Sequence, residues 1–129
     1  MNGDTLRISQ DHVWVRVEEG DARLGISDFA AEALGKIIYV DLPEPRAEVK
    51  RGEAFAVVES GKAQVELTSP VSGQITQVND RLAEEPELIN QDCFGKGWIA
   101  VVAVKDPRDM EGLMTKADYD LFVAGALEE

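Results

Sequence analysis

The segment VVESGKAQVELTSPVSG, residues 57–73, places a single lysine between two runs that alternate apolar and polar side chains. Alternation with a period of two marks a half-buried β-strand. Pairing Ser60 with Ala63 leaves Gly61 and Lys62 as a two-residue loop, and glycine at its first position predicts a type II′ turn, which needs a positive φ there. The register follows: Val58 faces Val65 and Ala56 faces Leu67 on one side, while Glu59 faces Gln64 and Val57 faces Glu66 on the other. Slipping by one residue would pair apolar with polar positions, so hydrophobic pattern and turn chemistry agree. Lys62 therefore projects from the hairpin tip between Gly61 and Ala63, which are too small to shield its amine, with Glu59 three residues before it. A rigid hairpin with an accessible amine suits a modifying enzyme that reads one defined shape. The bland alternative is an ordinary solvated charge.

Outward from this hairpin, short segments rich in Val, Ile and aromatics recur with turn residues between them: 12–17, 22–26, 37–42, 54–60, 63–68, 74–78 and 98–104. This rhythm predicts a mainly β fold, a sandwich or small barrel. In SDFAAEALG, Ser27 is a good N-cap and Gly35 can end a short helix in the left-handed conformation. A second helix is predicted over about 116–124, capped by Thr115 with Asp118 in capping-box position and with Tyr119, Phe122 and Val123 at helical spacing; it closes one end of the sheets. Residues 42–53 read as a loop, and 81–98 as a polar surface excursion with a helical turn near Glu84 to Leu88. No domain boundary is visible, and 129 residues fit one domain, 1–129.

Composition narrows the function classes. A net charge of −12 argues against nucleic acid or an anionic membrane as partner and leaves basic protein surfaces open. No apolar run approaches the roughly 20 residues of a membrane span, and the first residues have neither a secretory nor a transit pattern, so a cytoplasmic location is expected. Cys93 is the only cysteine, which excludes an internal disulfide and reads as packing. His12 is the only histidine, so a histidine-rich metal site is excluded and a catalytic triad would depend on it alone.

The blocks GISDFAAEALGKIIYVDLP (25–43), KRGEAFAVVESGKA (50–63), SPVSGQITQVN (69–79), PELIN (86–90) and GKGW (95–98) together resemble the glycine cleavage system H protein family of lipoyl carriers. The resemblance covers about His12 to Leu121. It implies a hammerhead-like β-sandwich of two antiparallel sheets with short helices and a C-terminal helix. It implies that Lys62 carries lipoic acid in amide linkage, attached by a lipoylating enzyme, within the recognition hairpin of Glu59, Gly61 and Ala63. The implied partners are a pyridoxal-phosphate glycine decarboxylase, a folate-dependent aminomethyltransferase and a flavin dihydrolipoyl dehydrogenase. A tethered arm visits each at high effective concentration, while the carrier does no chemistry alone. A monomer is expected.

Several positions depart from the family pattern. The family reads His-Glu-Trp where this chain has His12-Val13-Trp14, and in the family that glutamate helps hold the loaded arm. Asp11 stands where the family has serine and Glu66 where it has aspartate; both are candidate arm contacts. Gly61 replaces a usual valine, and Arg46 a usual glycine. These changes leave the cargo open between glycine cleavage and the H-like carriers that serve sulfur-compound oxidation with a heterodisulfide-reductase-like complex, or lipoyl relay. A biotin carrier would have methionine on both sides of the lysine, and an unmodified adaptor is the remaining alternative.

Overall fold

The computed structural model describes residues 6–18 and 20–125. Among the described residues, nine strands form two antiparallel sheets. Strands β1 (Leu6–Ile8), β2 (Val13–Glu18), β3 (Asp21–Ile26), β5 (Glu48–Val49), β8 (Gly73–Val78) and β9 (Ala100–Val104) form one, in the order β1-β2-β3-β9-β8-β5. Strands β4 (Ile37–Asp41), β6 (Ala54–Ser60) and β7 (Gln64–Thr68) form the other, in the order β4-β6-β7. The expected sandwich with short helices is therefore present. All seven predicted strands occur, although the last begins at Ala100 rather than at Trp98. β1 and β5 were missed because strands of three and two residues carry too little alternation to read.

Between the sheets lies one apolar core that draws Val13, Val15, Leu24 and Ile26 from the larger sheet and Val40, Ala56, Val58 and Leu67 from the smaller. Strand alternation places Trp14 on the opposite face of β2, where it would meet solvent in a two-layer protein. Instead, helix α3 (Lys116–Val123) covers that face, and Ile8, Trp14 and Tyr119 form a second, fully buried cluster. The Trp14 indole lies flat over Gly25; a β-carbon there would stand 2.5 Å from the ring. Its N–H donates to the Cys93 carbonyl at 2.8 Å, and the Arg16 guanidinium caps the ring 5.3 Å from its centroid.

Both predicted helices form where their caps indicated. Helix α1 (Asp28–Leu34) starts at Ser27, whose hydroxyl accepts from the Ala30 N–H, and ends at Gly35 with φ +86°. Helix α3 starts at Thr115, whose hydroxyl accepts from the Asp118 N–H. The expected turn near Glu84 to Leu88 is corrected: a 3₁₀ turn occupies Asp80–Ala83, and helix α2 runs over Leu88–Asp92. Pro86 separates the two, since its ring blocks continuation of the first turn while its carbonyl accepts from Ile89 to open the second. No helix among the described residues is long and apolar enough to cross a membrane.

Candidate functional site

The β6–β7 hairpin has the register read from its hydrophobic pattern: Ala56 pairs with Leu67, Val57 with Glu66, Val58 with Val65 and Glu59 with Gln64. Ala56, Val58 and Leu67 are buried on the inner face, whereas Val65, nearest the tip, is 37% exposed. The Ser60 N–H donates to the Ala63 carbonyl at 2.8 Å and closes the ladder. Lys62 is exposed beyond it, between exposed Gly61 and Ala63.

The turn itself differs from the expected type II′ form. Gly61 does not take the positive φ that this turn requires. The Ser60 hydroxyl accepts from the N–H groups of both Lys62 and Ala63, at 3.3 and 3.2 Å, so a side-chain oxygen takes over part of the work of the backbone turn. A β-carbon on Gly61 would meet nothing within 4 Å. Neither backbone conformation nor space demands glycine here, which explains why the related pattern can carry valine.

The Lys62 stem runs beside the end of α1, where a β-carbon on Gly35 would stand 3.6 Å from Lys62 Cε. No ion pair among the described residues engages the Lys62 ammonium. Glu59 points to the outer face of the smaller sheet in the same row as Tyr39 and Gln64; Asp41, Val57 and Glu66 form the next row. None of the three strands contains lysine or arginine, so this face carries Asp41, Glu59 and Glu66 around half-exposed Tyr39.

Asp11 lies at the turn between β1 and β2, and its carboxylate accepts from the Thr68 hydroxyl at 2.9 Å. Glu66 and Thr68 sit two residues apart on β7 and therefore share a face, which places Asp11 at the base of the strand that carries Glu66. Beside Asp11 opens a cleft of about 330 Å³, lined by Ser9, Arg51, Ser69, Pro70 and Leu113 among others. Val13 is fully buried in the main core and offers that cleft no polar group.

His12 and Cys93 are structural. His12 adopts φ +70°, and its Nδ1 meets the Tyr119 hydroxyl at 2.6 Å; that hydroxyl also lies 2.6 Å from Ser27 Oγ. Burial lowers the His12 pKa, opposed by the Asp11 carboxylate. Burial, with Asp28 and Asp92 nearby, pushes the Cys93 thiol up to about 11, which makes it a poor nucleophile near neutral pH. Sequence reasoning overlooked Asn90, whose carboxamide bonds to the backbone on both sides of Lys36. It also overlooked the backbone significance of Arg46, which has φ +74° where the related pattern has glycine.

A family model described as Glycine cleavage H-protein matches residues 6–125. The glycine cleavage system H protein of Anaeromyxobacter sp. (strain K) is 44% identical over 120 residues, spanning 93% of this chain and 94% of that protein. The glycine cleavage system H protein of Alkaliphilus oremlandii (strain OhILAs) is 47% identical over 117 residues, covering 91% of each. In three dimensions the crystal structure of a glycine cleavage system H protein from Mycobacterium marinum superposes with a TM-score of 0.85 at 33% identity, covering 97% of this chain and 99% of that one. With its two antiparallel sheets, its lysine-tipped hairpin and a family match over nearly all of its described length, this chain belongs to the glycine cleavage H-protein family, the lipoyl carriers of that system.

Proposed function

We propose that Lys62 carries lipoic acid in amide linkage. On this reading the chain is one non-catalytic, monomeric carrier domain acting in the cytoplasm. A lipoylating enzyme attaches the arm, which then moves an aminomethyl group and reducing equivalents among glycine decarboxylase, aminomethyltransferase and dihydrolipoyl dehydrogenase. The observation that carries the reading is the exposed Lys62, in no ion pair among the described residues, at the end of a hairpin whose strands are pinned in register.

The residues present fit the group. Lys62 has open space at Gly61, and its flexible stem can swing once its charge is removed by amide formation. Lys62 would hold the group through its amide, and the dithiolane would supply a redox-active disulfide. Glu59, Gly61 and Ala63 form the shape that the modifying enzyme reads. Asp11 and Glu66 offer acceptors to an aminated arm laid along β7, in place of the glutamate that Val13 lacks. The cation-free outer face with Asp41, Glu59 and Glu66 suits partners with basic docking surfaces.

Intact mass of the protein from its native cell tests the attachment, since lipoyl, biotinyl and unmodified forms differ in mass at Lys62. Lys62→Arg is expected to abolish carrier function with the fold unchanged. Full activity from native protein with a bare lysine would overturn the proposal. Supplying the lipoylated chain to glycine decarboxylase tests the cargo: aminomethyl loading is expected, and its absence would favour the sulfur-compound route.

A further inference from the structure

We propose that Asn90 is a positioning residue for Lys62, holding the corner against which the modified side chain is presented. The inference rests on the reading of Lys62 as the attachment site. Asn90 lies on α2, distant in sequence from both the hairpin and the α1–β4 corner. Its Nδ2 donates to the Gly35 carbonyl at 2.8 Å, and its Oδ1 accepts from the Ile37 N–H at 2.9 Å. One carboxamide thus fastens both ends of the Gly35–Ile37 segment.

That segment is linked to the lysine in two ways. Gly35, held at φ +86°, is the surface beside Lys62 Cε. Ile37 pairs with Ser60, the final residue of β6, and Ser60 Oγ accepts from the Lys62 N–H. The ladder between β4 and β6 is irregular at this point, with a register shift between Ile37 and Tyr39. A bulge leaves backbone groups without strand partners. Asn90 satisfies the Ile37 N–H there, and among the described residues no other side chain hydrogen-bonds the backbone of 35–37. Without the carboxamide, the corner beside the lysine and the strand that supports its turn move independently, and an enzyme that reads the hairpin meets a spread of shapes.

The test uses the unmodified full chain as acceptor for a lipoate–protein ligase with lipoate and ATP, at a temperature where circular dichroism shows every variant folded. Asn90→Ala is expected to raise the KM for the acceptor about tenfold, equivalent to about 1.4 kcal/mol, with kcat within about twofold because the attacking amine is unchanged. Asn90→Asp, which sets a second acceptor against the Gly35 carbonyl, is expected to do the same and serves if the alanine variant does not fold. Asn79→Ala is the control for stability alone: that carboxamide holds the Lys96 and Trp98 carbonyls in another part of the fold. It is expected to lower stability without moving the KM. Amide hydrogen exchange at Lys62 and Ala63 should quicken in the Asn90 variants and not in Asn79→Ala. A wild-type KM and unchanged exchange in the Asn90 variants, or an equal rise in Asn79→Ala, would overturn the inference. If the wild-type chain is not modified at Lys62, the lipoyl reading fails by itself, and the exchange measurement still decides whether Asn90 orders the tip.

Discussion

The Thr68 hydroxyl donates to the Asp11 carboxylate at 2.9 Å and ties the β1–β2 turn to the base of the hairpin that carries Lys62. The bond turns Asp11 toward the face of β7 shared by Glu66, so a carboxylate from the β1–β2 turn and one from β7 lie on the same side of the hairpin. Replacing Asp11 with alanine is expected to change the unfolding free energy by less than about 1 kcal/mol, as is usual for exposed positions. Release of the aminomethyl group from the loaded arm should quicken, and adding Glu66→Gln should quicken it further. Timed mass spectrometry of the loaded carrier reads the difference; unchanged release in the double variant would remove both residues from the arm's resting site.

Gly61 has neither a positive φ nor a neighbour within reach of a β-carbon. Gly61→Ala is therefore expected to stabilise the protein by about 0.4–1 kcal/mol, through the smaller entropy of its unfolded chain. Urea denaturation measures this. A loss of stability would mean that the turn uses the left-handed conformation after all.

Arg46 is a non-glycine residue at φ +74°, where the β-carbon crowds the following carbonyl oxygen. Arg46→Gly removes roughly 1–2 kcal/mol of that strain and returns part of it as added unfolded-state entropy. A net gain of about 0.5–1 kcal/mol is expected from the same denaturation series.

His12 is kept neutral by burial, so its pKa in the folded protein lies below the ordinary 6.5. The unfolded chain binds the proton more readily. The contribution of neutral His12 to stability is complete above about pH 6.5 and is lost as pH falls from there through the folded pKa. Unfolding free energy measured between neutral and mildly acidic pH should decline for the wild type. His12→Asn keeps a side chain tolerant of positive φ and should flatten that part of the profile.

Strands β4, β6 and β7 carry Asp41, Glu59 and Glu66 and no cation. Association with a basic partner surface should slow by about tenfold or more as salt rises from low to several hundred millimolar, through loss of electrostatic steering. Stopped-flow mixing of the lipoylated chain with an aminomethyltransferase, as the proposed partner, measures the rate, and Glu59→Gln with Glu66→Gln should weaken its salt dependence.

What the sequence alone determined was what residues within a few positions of each other decide. Period-two alternation set the hairpin register, and Ser27, Gly35 and Thr115 marked helix ends, because caps and pleats are satisfied locally. The resemblance to lipoyl carriers supplied the role proposed for Lys62. Tertiary structure decided matters that depend on groups brought together across the chain. It covered the outer face of β2 with α3, so that Trp14 is buried rather than exposed. It closed the Lys62 turn with the Ser60 hydroxyl where a glycine φ was expected, set Asp11 against Thr68, and brought Asn90 to Gly35 and Ile37. A side chain's hydrogen-bond partner is fixed by which backbone groups the sheets leave unpaired, and that is known only once the sheets have packed.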